Sequence, residues 1–298
     1  MNRRILVFLS FVLVLSVLAV SSLSAGPDGQ LQRLFESGKT LFFDTSNVTV
    51  AGHAEFTLDG ERFKTADILY KQDDTFSHWQ LDLLTPRPGR EDRETGYTII
   101  ANGDRIYIME KYNPGRYATA SDEPCSTLVR QSAGSDLLVS MAYALAGPIE
   151  ALLPEDAVVS SESDEGTQVQ ITLQESSVPS LLNPLMNLAA QFVLRRFMGV
   201  EADHIADWGV GPFNHYLTVT EGIIYTTSSY NLSDTAVTVS LDQNGRLTAV
   251  RGTAEVILES KREPKRSLSV SFDFSVSGYG QTYVPAFDAG DFGVVPAV

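Results

Sequence analysis

Four histidines, His53, His78, His204 and His215, are the side chains best suited to proton transfer or metal ligation near neutral pH. No two of them lie at the spacing of a metal-binding pair. His53 and His78 fall in stretches of alternating hydrophobicity, each opposite the apolar series, where an imidazole is ordinarily solvated. Asp203, His204 and Asp207 put two acids beside a ring, but Trp208, Gly209, Gly211 and Pro212 follow, which is the composition of a connecting loop. The single cysteine, Cys125, comes directly after Asp122, Glu123 and Pro124. Acidic neighbours disfavour a thiolate, so this is poor ground for a nucleophile, and a lone cysteine forms no intramolecular disulfide. Asp122-Glu123, Glu155-Asp156 and Asp164-Glu165 flank turns without the alternating oxygen ligands of a calcium loop. There is no Gly-x-Ser-x-Gly elbow, phosphate loop or dinucleotide fingerprint. The residues predict a protein that is not an enzyme and takes no metal and no cofactor.

One basic cluster interrupts an acidic chain. Lys261, Arg262, Lys265 and Arg266 bracket Pro264 between two predicted strands. They could dock an anionic headgroup or an acidic partner, or keep a hairpin tip from sticking to other chains. The formal charge is −15, from 22 basic and 37 acidic residues. An excess of that size repels nucleic acid and an anionic membrane surface alike.

The start of the chain reads as a secretory signal peptide. Arg3 and Arg4 form a positive n-region, Ile5 to Ala25 carries no charge, and Ser21, Ser22, Ser24 and Ala25 precede Gly26 and Pro27. Residues 1–25 are expected to be removed; the alternative is an uncleaved anchor. Gly26 stands where a lipid anchor would need a cysteine. The expected location is therefore an extracellular, cell-wall or periplasmic space. Residues 26–298 suffice for one large β domain.

Alternation with a period of two dominates that remainder. Leu268, Val270, Phe272, Phe274 and Val276 interleave with Ser269, Ser271, Asp273 and Ser275, giving a strand with one apolar and one wet face. Val48, Val50, Ala54, Phe56 and Leu58 repeat the pattern, as do Trp79, Leu81 and Leu83; Val169, Ile171 and Leu173; and Val237, Val239 and Leu241. Asp59-Gly60, Asn102-Gly103 and Asn244-Gly245 supply the positive φ angles of tight hairpins, and Glu165-Gly166 is a further candidate turn. Short connections make neighbours antiparallel. Four or five strands are expected in residues 47–120, one or two in 157–174 and five or so in 215–285.

Three helices are predicted. Residues 29–43 form an ordinary amphipathic helix on Leu31, Leu34, Phe35, Leu41 and Phe42. Residues 135–147, capped by Ser135-Asp136, run without charge past the cap. In the helix of residues 180–198 the polar positions between Leu181 and Leu194, namely Asn183, Asn187 and Gln191, make one narrow stripe on an apolar cylinder, which Arg195 extends by a turn. Such helices are buried in a core or border an apolar cavity.

The order of elements, the hairpin of residues 100–110 with Asn102-Gly103 and Ile106-Tyr107, the turn Asn244-Gly245-Arg246-Leu247, and the closing Gly278-Tyr279-Gly280 and Val284-Pro285 resemble the bacterial lipoprotein-carrier superfamily (LolA-like fold). That superfamily includes periplasmic lipoprotein carriers and mycobacterial lipid-binding lipoproteins. The likeness covers roughly residues 47–120 and 215–285. It implies an α+β, mostly antiparallel β fold, a strongly curved half-open β-barrel wrapped around two or three helices, with a cavity for acyl chains. On this basis a lipid or other apolar ligand would lie between the sheet and the helices of 135–147 and 180–198. The expected lining is Leu138, Met141, Leu145, Leu182, Leu185, Met186, Phe192 and Phe197, with methionine giving deformable surface. The alternatives are a packed core without a cavity, and a cell-envelope module that binds or senses a protein through its open edge strands.

Overall fold

The computed structural model describes residues 30–73, 77–87, 90–102, 105–110, 113–121, 153–154, 156–178, 183, 227–260 and 264–284. Helix α1 spans Gln30–Lys39 and widens into one π turn over Thr40–Asp44. Thr45 Oγ1 donates to the carbonyl of Thr40 at 2.9 Å and ends it. Leu34 and Leu41 are each 2 % exposed, while Arg33 and Glu36 face water, as the amphipathic pattern requires. Ser37 shares the buried face, and its hydroxyl has no hydrogen-bond partner.

Eleven strands follow among the described residues: Val48–Leu58 (β1), Glu61–Gln72 (β2), Ser77–Arg87 (β3), Arg90–Asn102 (β4), Arg105–Glu110 (β5), Asn113–Ser121 (β6), Val158–Ser163 (β7), Gly166–Leu173 (β8), Thr227–Leu241 (β9), Leu247–Ser260 (β10) and Arg266–Ser277 (β11). They make one open antiparallel sheet in the order β6-β5-β4-β3-β2-β1-β11-β10-β9-β8-β7. Two meanders, β1 to β6 and β7 to β11, are thus sewn together by their first and last strands. Six strands lie between residues 48 and 121 where four or five were expected. The predicted group in 215–285 contributes three long ones, with residues 215–226 outside the described set. The predicted helices of 135–147 and 180–198 also fall outside it, Asn183 excepted.

Turn chemistry explains the connections. Asp59 and Gly60 have φ of 54° and 83°, the paired left-handed conformation of a type I′ hairpin. Asn244-Gly245 behaves differently. Gly245 donates to the carbonyl of Asp242, and only Gly245 has positive φ (73°), so a type I turn ends in a left-handed glycine. The reason is Asp242, whose carboxylate accepts the N–H groups of Asn244 (2.8 Å) and Arg246 (2.9 Å) and shapes a longer loop. At Glu165-Gly166 the register pairs Ser163 with Gly166, so the turn residues are Asp164 and Glu165. Asn102 pairs with Arg105, a two-residue connection at the place expected.

Past β11 the chain doubles back over the end of the sheet. Gly278 and Gly280 turn it (φ 68° and 70°), and Tyr279 donates to the carbonyl of Leu247 at 2.8 Å beneath the guanidinium of Arg246. Asn47 receives Gly280 N and Thr282 N, and Val284 N reaches Asp73. The N-terminal strands and the C-terminal segment therefore close on each other. Among the described residues no helix is long and apolar enough to cross a membrane.

Candidate functional site

Strand parity gives the sheet one apolar face. Val169, Ile171 and Leu173 are at most 2 % exposed, while Gln168, Gln170 and Thr172 between them are exposed. The register aligns such positions in transverse rows. One runs Ile68, Gly52, Phe274, Val250, Val239, Val169, and the next Ala66, Ala54, Phe272, Gly252, Val237, Ile171. The rings of Phe272 and Phe274 lie 6.2 Å apart, and small residues flank them. A Cβ on Gly52 would collide with the Phe274 ring. At Gly252 the obstacle is the backbone of Ala236 and Val237 on β9, so that glycine permits the close approach of two strands. Both glycines interrupt an apolar alternation, and that gap was the available sequence signal.

The row below contains a cation. A bulge in β2 shifts the register, so that Phe56 faces Lys64 while Thr57 faces Arg62 and Phe63 is the inserted residue. Lys64 itself lies in unbroken register and shares the parity of Ala66, Ile68 and Tyr70. Its row continues through Phe56, Val270 and Ala254 to Thr235 and Leu173. Burial pushes the Lys64 ammonium down to about 8. Tyr70 donates to Gln72, which is 1 % exposed, two rungs further along β2. At the other end of the row Thr235 is 5 % exposed and its hydroxyl has no hydrogen-bond partner.

Strand β9 is bulged between Leu232 and Thr235, where Ser233 and Asp234 together stand opposite Glu255 of β10. This frees the N–H of Leu232, which donates to Asn183 Oδ1 at 2.9 Å. Asp234 meanwhile accepts Glu175 N from the short 3-10 turn of Glu175–Ser177. Asn183 belongs to the polar stripe read from the sequence, and its own side chain meets β9. Beside this bulge a shallow hollow of about 550 Å³ is lined by Leu173, Gln174, Glu175, Asp234, Thr235 and Thr253.

Leu138, Met141, Leu145, Leu182, Leu185, Met186, Phe192 and Phe197 all lie outside the described residues, as do Lys261 and Arg262. Lys265 and Arg266 are described, and each meets an acid. Lys265 Nζ sits 2.5 Å from Glu259, whose carboxyl is held low by Lys265 and the Ser229 hydroxyl. Arg266 Nε donates to Asp59 at 2.7 Å, and Ser267 N donates to the same carboxylate. These two cations bind the strand ends together.

His53 is exposed on β1 as expected, with Nδ1 2.7 Å from Asp67 on β2. His78 departs from the solvated expectation. It is half-buried opposite Lys71, and burial, then the lysine charge, lowers its pKa. His204, His215, Cys125 and the 203–207 acids lie outside the described residues. Among the described residues no group of His, Cys, Asp and Glu could hold a metal ion.

No family model matches the chain, and no curated protein matches it. Among solved structures it is similar to a putative oleoyl thioesterase from Lactobacillus plantarum, at 9 % identity and a TM-score of 0.14 over 76 % of this chain and 75 % of that one. So slight a likeness carries no argument.

Proposed function

We propose that this chain is an exported, non-enzymatic protein that holds a lipid or other apolar molecule against the apolar face of its sheet. In this reading the sheet curves as a half-open barrel of the lipoprotein-carrier type, and the largely apolar stretches 135–147 and 180–198 cover its inside. The observation that carries the reading is the 2.9 Å bond from Leu232 N to Asn183 Oδ1. It ties one residue of the predicted polar stripe, Asn183, to a strand whose Leu232 and Val237 are buried on the apolar face. A helix held by its stripe turns its remaining circumference to hydrophobic contact. Each acyl methylene buried there would contribute about 0.8 kcal/mol.

Native mass spectrometry of protein gently purified from its own host should show a co-purified lipid. A bare polypeptide mass across several preparations would sink the reading. Leu185→Asp should abolish uptake of a fluorescent fatty acid while leaving the far-ultraviolet circular dichroism of the sheet intact. Loss of the fold in that variant would instead point to a filled core.

A second reading is a cell-envelope protein-binding or sensing module. It is favoured by the open edge strand β7, where Val159 is 58 % exposed. Exposed strand edges accept partner strands. Val159→Lys should then abolish capture of the partner in pull-downs, with no change in lipid content.

A further inference from the structure

Strand β7 is an edge of the sheet, and among the described residues no strand pairs with its outer side. Thr172 N donates to the carbonyl of Ala157 at 2.8 Å, so the hydrogen-bonded pairs with β8 fall at Ala157, Val159, Ser161 and Ser163. The N–H and C=O groups of Val158, Ser160 and Glu162 therefore point away from the sheet. They form a short ladder without a second strand, beside the exposed side chain of Val159. The ends of this ladder are acidic. Asp156, Glu162, Asp164 and Glu165 are all exposed around it. Arg33 of α1 meets Glu162 at 4.0 Å with both side chains mostly in water, a loose pair that a closer cation would displace.

We infer that β7 takes an extended, positively charged segment of another protein as an added antiparallel strand. Main-chain bonds to Val158, Ser160 and Glu162 would hold it, with Lys or Arg opposite Glu162 and an apolar side chain opposite Val159. Antiparallel pairing puts those two partner residues three apart, the basic one first. A second copy of this chain fits less well. Two β7 strands paired about Ser160 would set Asp156 of each against Asp164 of the other, and like charges directly opposite repel. The inference rests on the protein-binding reading and adds the backbone form and charge of the partner. The competing explanation is that the carboxylates only keep a short edge from pairing with anything.

Fluorescence anisotropy of the full chain with two short labelled peptides, matched except for Lys-x-x-Val in one and Glu-x-x-Val in the other, separates these. The lysine peptide should bind about ten-fold or more tightly at low salt. The gap should close as salt rises. Methylating alternate amide nitrogens of that peptide should abolish binding. Ser160→Pro removes an outward N–H and leaves the bonds to β8 in place, so it should abolish binding without lowering the melting temperature. Glu162→Lys should reverse the preference. Equal affinity for both peptides overturns the charge assignment and leaves a strand-accepting edge standing. Failure to bind either overturns both. A dimer in sedimentation that Ser160→Pro dissolves gives the edge to a second copy and overturns the inference. If Ser160→Pro does not fold, the methylated peptide and Glu162→Lys decide the matter.

Discussion

Asp242 and Asp59 make the clearest residue-scale predictions. Burial works against the Asp242 carboxylate, but the Arg246 N–H, the Arg246 side chain and the Asn244 N–H outweigh it and hold its pKa low. The Ser267 N–H and Arg266 do the same for Asp59. A carboxyl whose pKa is lower folded than unfolded stabilises the protein above the unfolded value, and that contribution disappears as pH falls through the folded one. Asp242→Ala should therefore cost about 1–3 kcal/mol at pH 7. The difference from the unaltered protein should shrink in urea melts taken towards pH 3; a cost independent of pH would mean that the loop is shaped by something other than this charge. Lys64 has the opposite dependence. Its folded pKa is below the free value, so its burial is best tolerated when the amine is neutral, and its penalty grows as pH falls below about 10 and levels off beneath the folded value of about 8. Lys64 keeps the parity of Ala66, Ile68 and Tyr70, so its face was legible from the alternation, but its low pKa was not, since that depends on what covers the face. Asp59-Gly60, by contrast, announced its turn by composition alone.

At the scale of the element, two glycines of similar appearance have different reasons to be there. Gly60 needs its positive φ of 83° but has open space around it, so Gly60→Ala should cost about 1–2 kcal/mol through backbone conformation. Gly52 has ordinary strand geometry and no room, because Phe274 lies where a side chain would go. Gly52→Ala should cost about 1–3 kcal/mol by overpacking, and Phe274→Leu in the same chain should recover part of it. Thermal melts of the single and double variants test this; strictly additive effects would contradict the contact. The strands themselves were readable, since a strict alternation such as Val169, Ile171, Leu173 permits one inward face and no other. The strand count was harder to read, because residues 90–121 contain long strands whose polar stretches break the alternation. The apolar stretches 135–147 and 180–198 illustrate the limit from the other side. Periodicity identifies a greasy cylinder but does not say whether protein or ligand covers it; of those stretches Asn183 alone is among the described residues, and it meets β9.

For the whole molecule, the decisive joint is the pairing of β1 with β11, where Ala51 meets Ser275 and Phe56 meets Val270. Phe272 sits on this seam between Ala54 and Gly252, and Phe272→Ala should cost about 3–5 kcal/mol. If the seam unites the two meanders, urea unfolding followed by fluorescence and by circular dichroism should give coincident transitions that shift together in this variant. Separate transitions would mean that each meander stands alone. The same seam dictates an order of events during synthesis. Residues 48–58 leave the ribosome early, yet one side of their backbone stays unpaired until residues 266–277 have been made. A nascent chain carries that open edge through nearly its entire translation, exposed to mispairing with its siblings. Slow refolding that depends on protein concentration, and an appetite for holding chaperones until the last strand arrives, are the outcomes such a late-closing topology imposes.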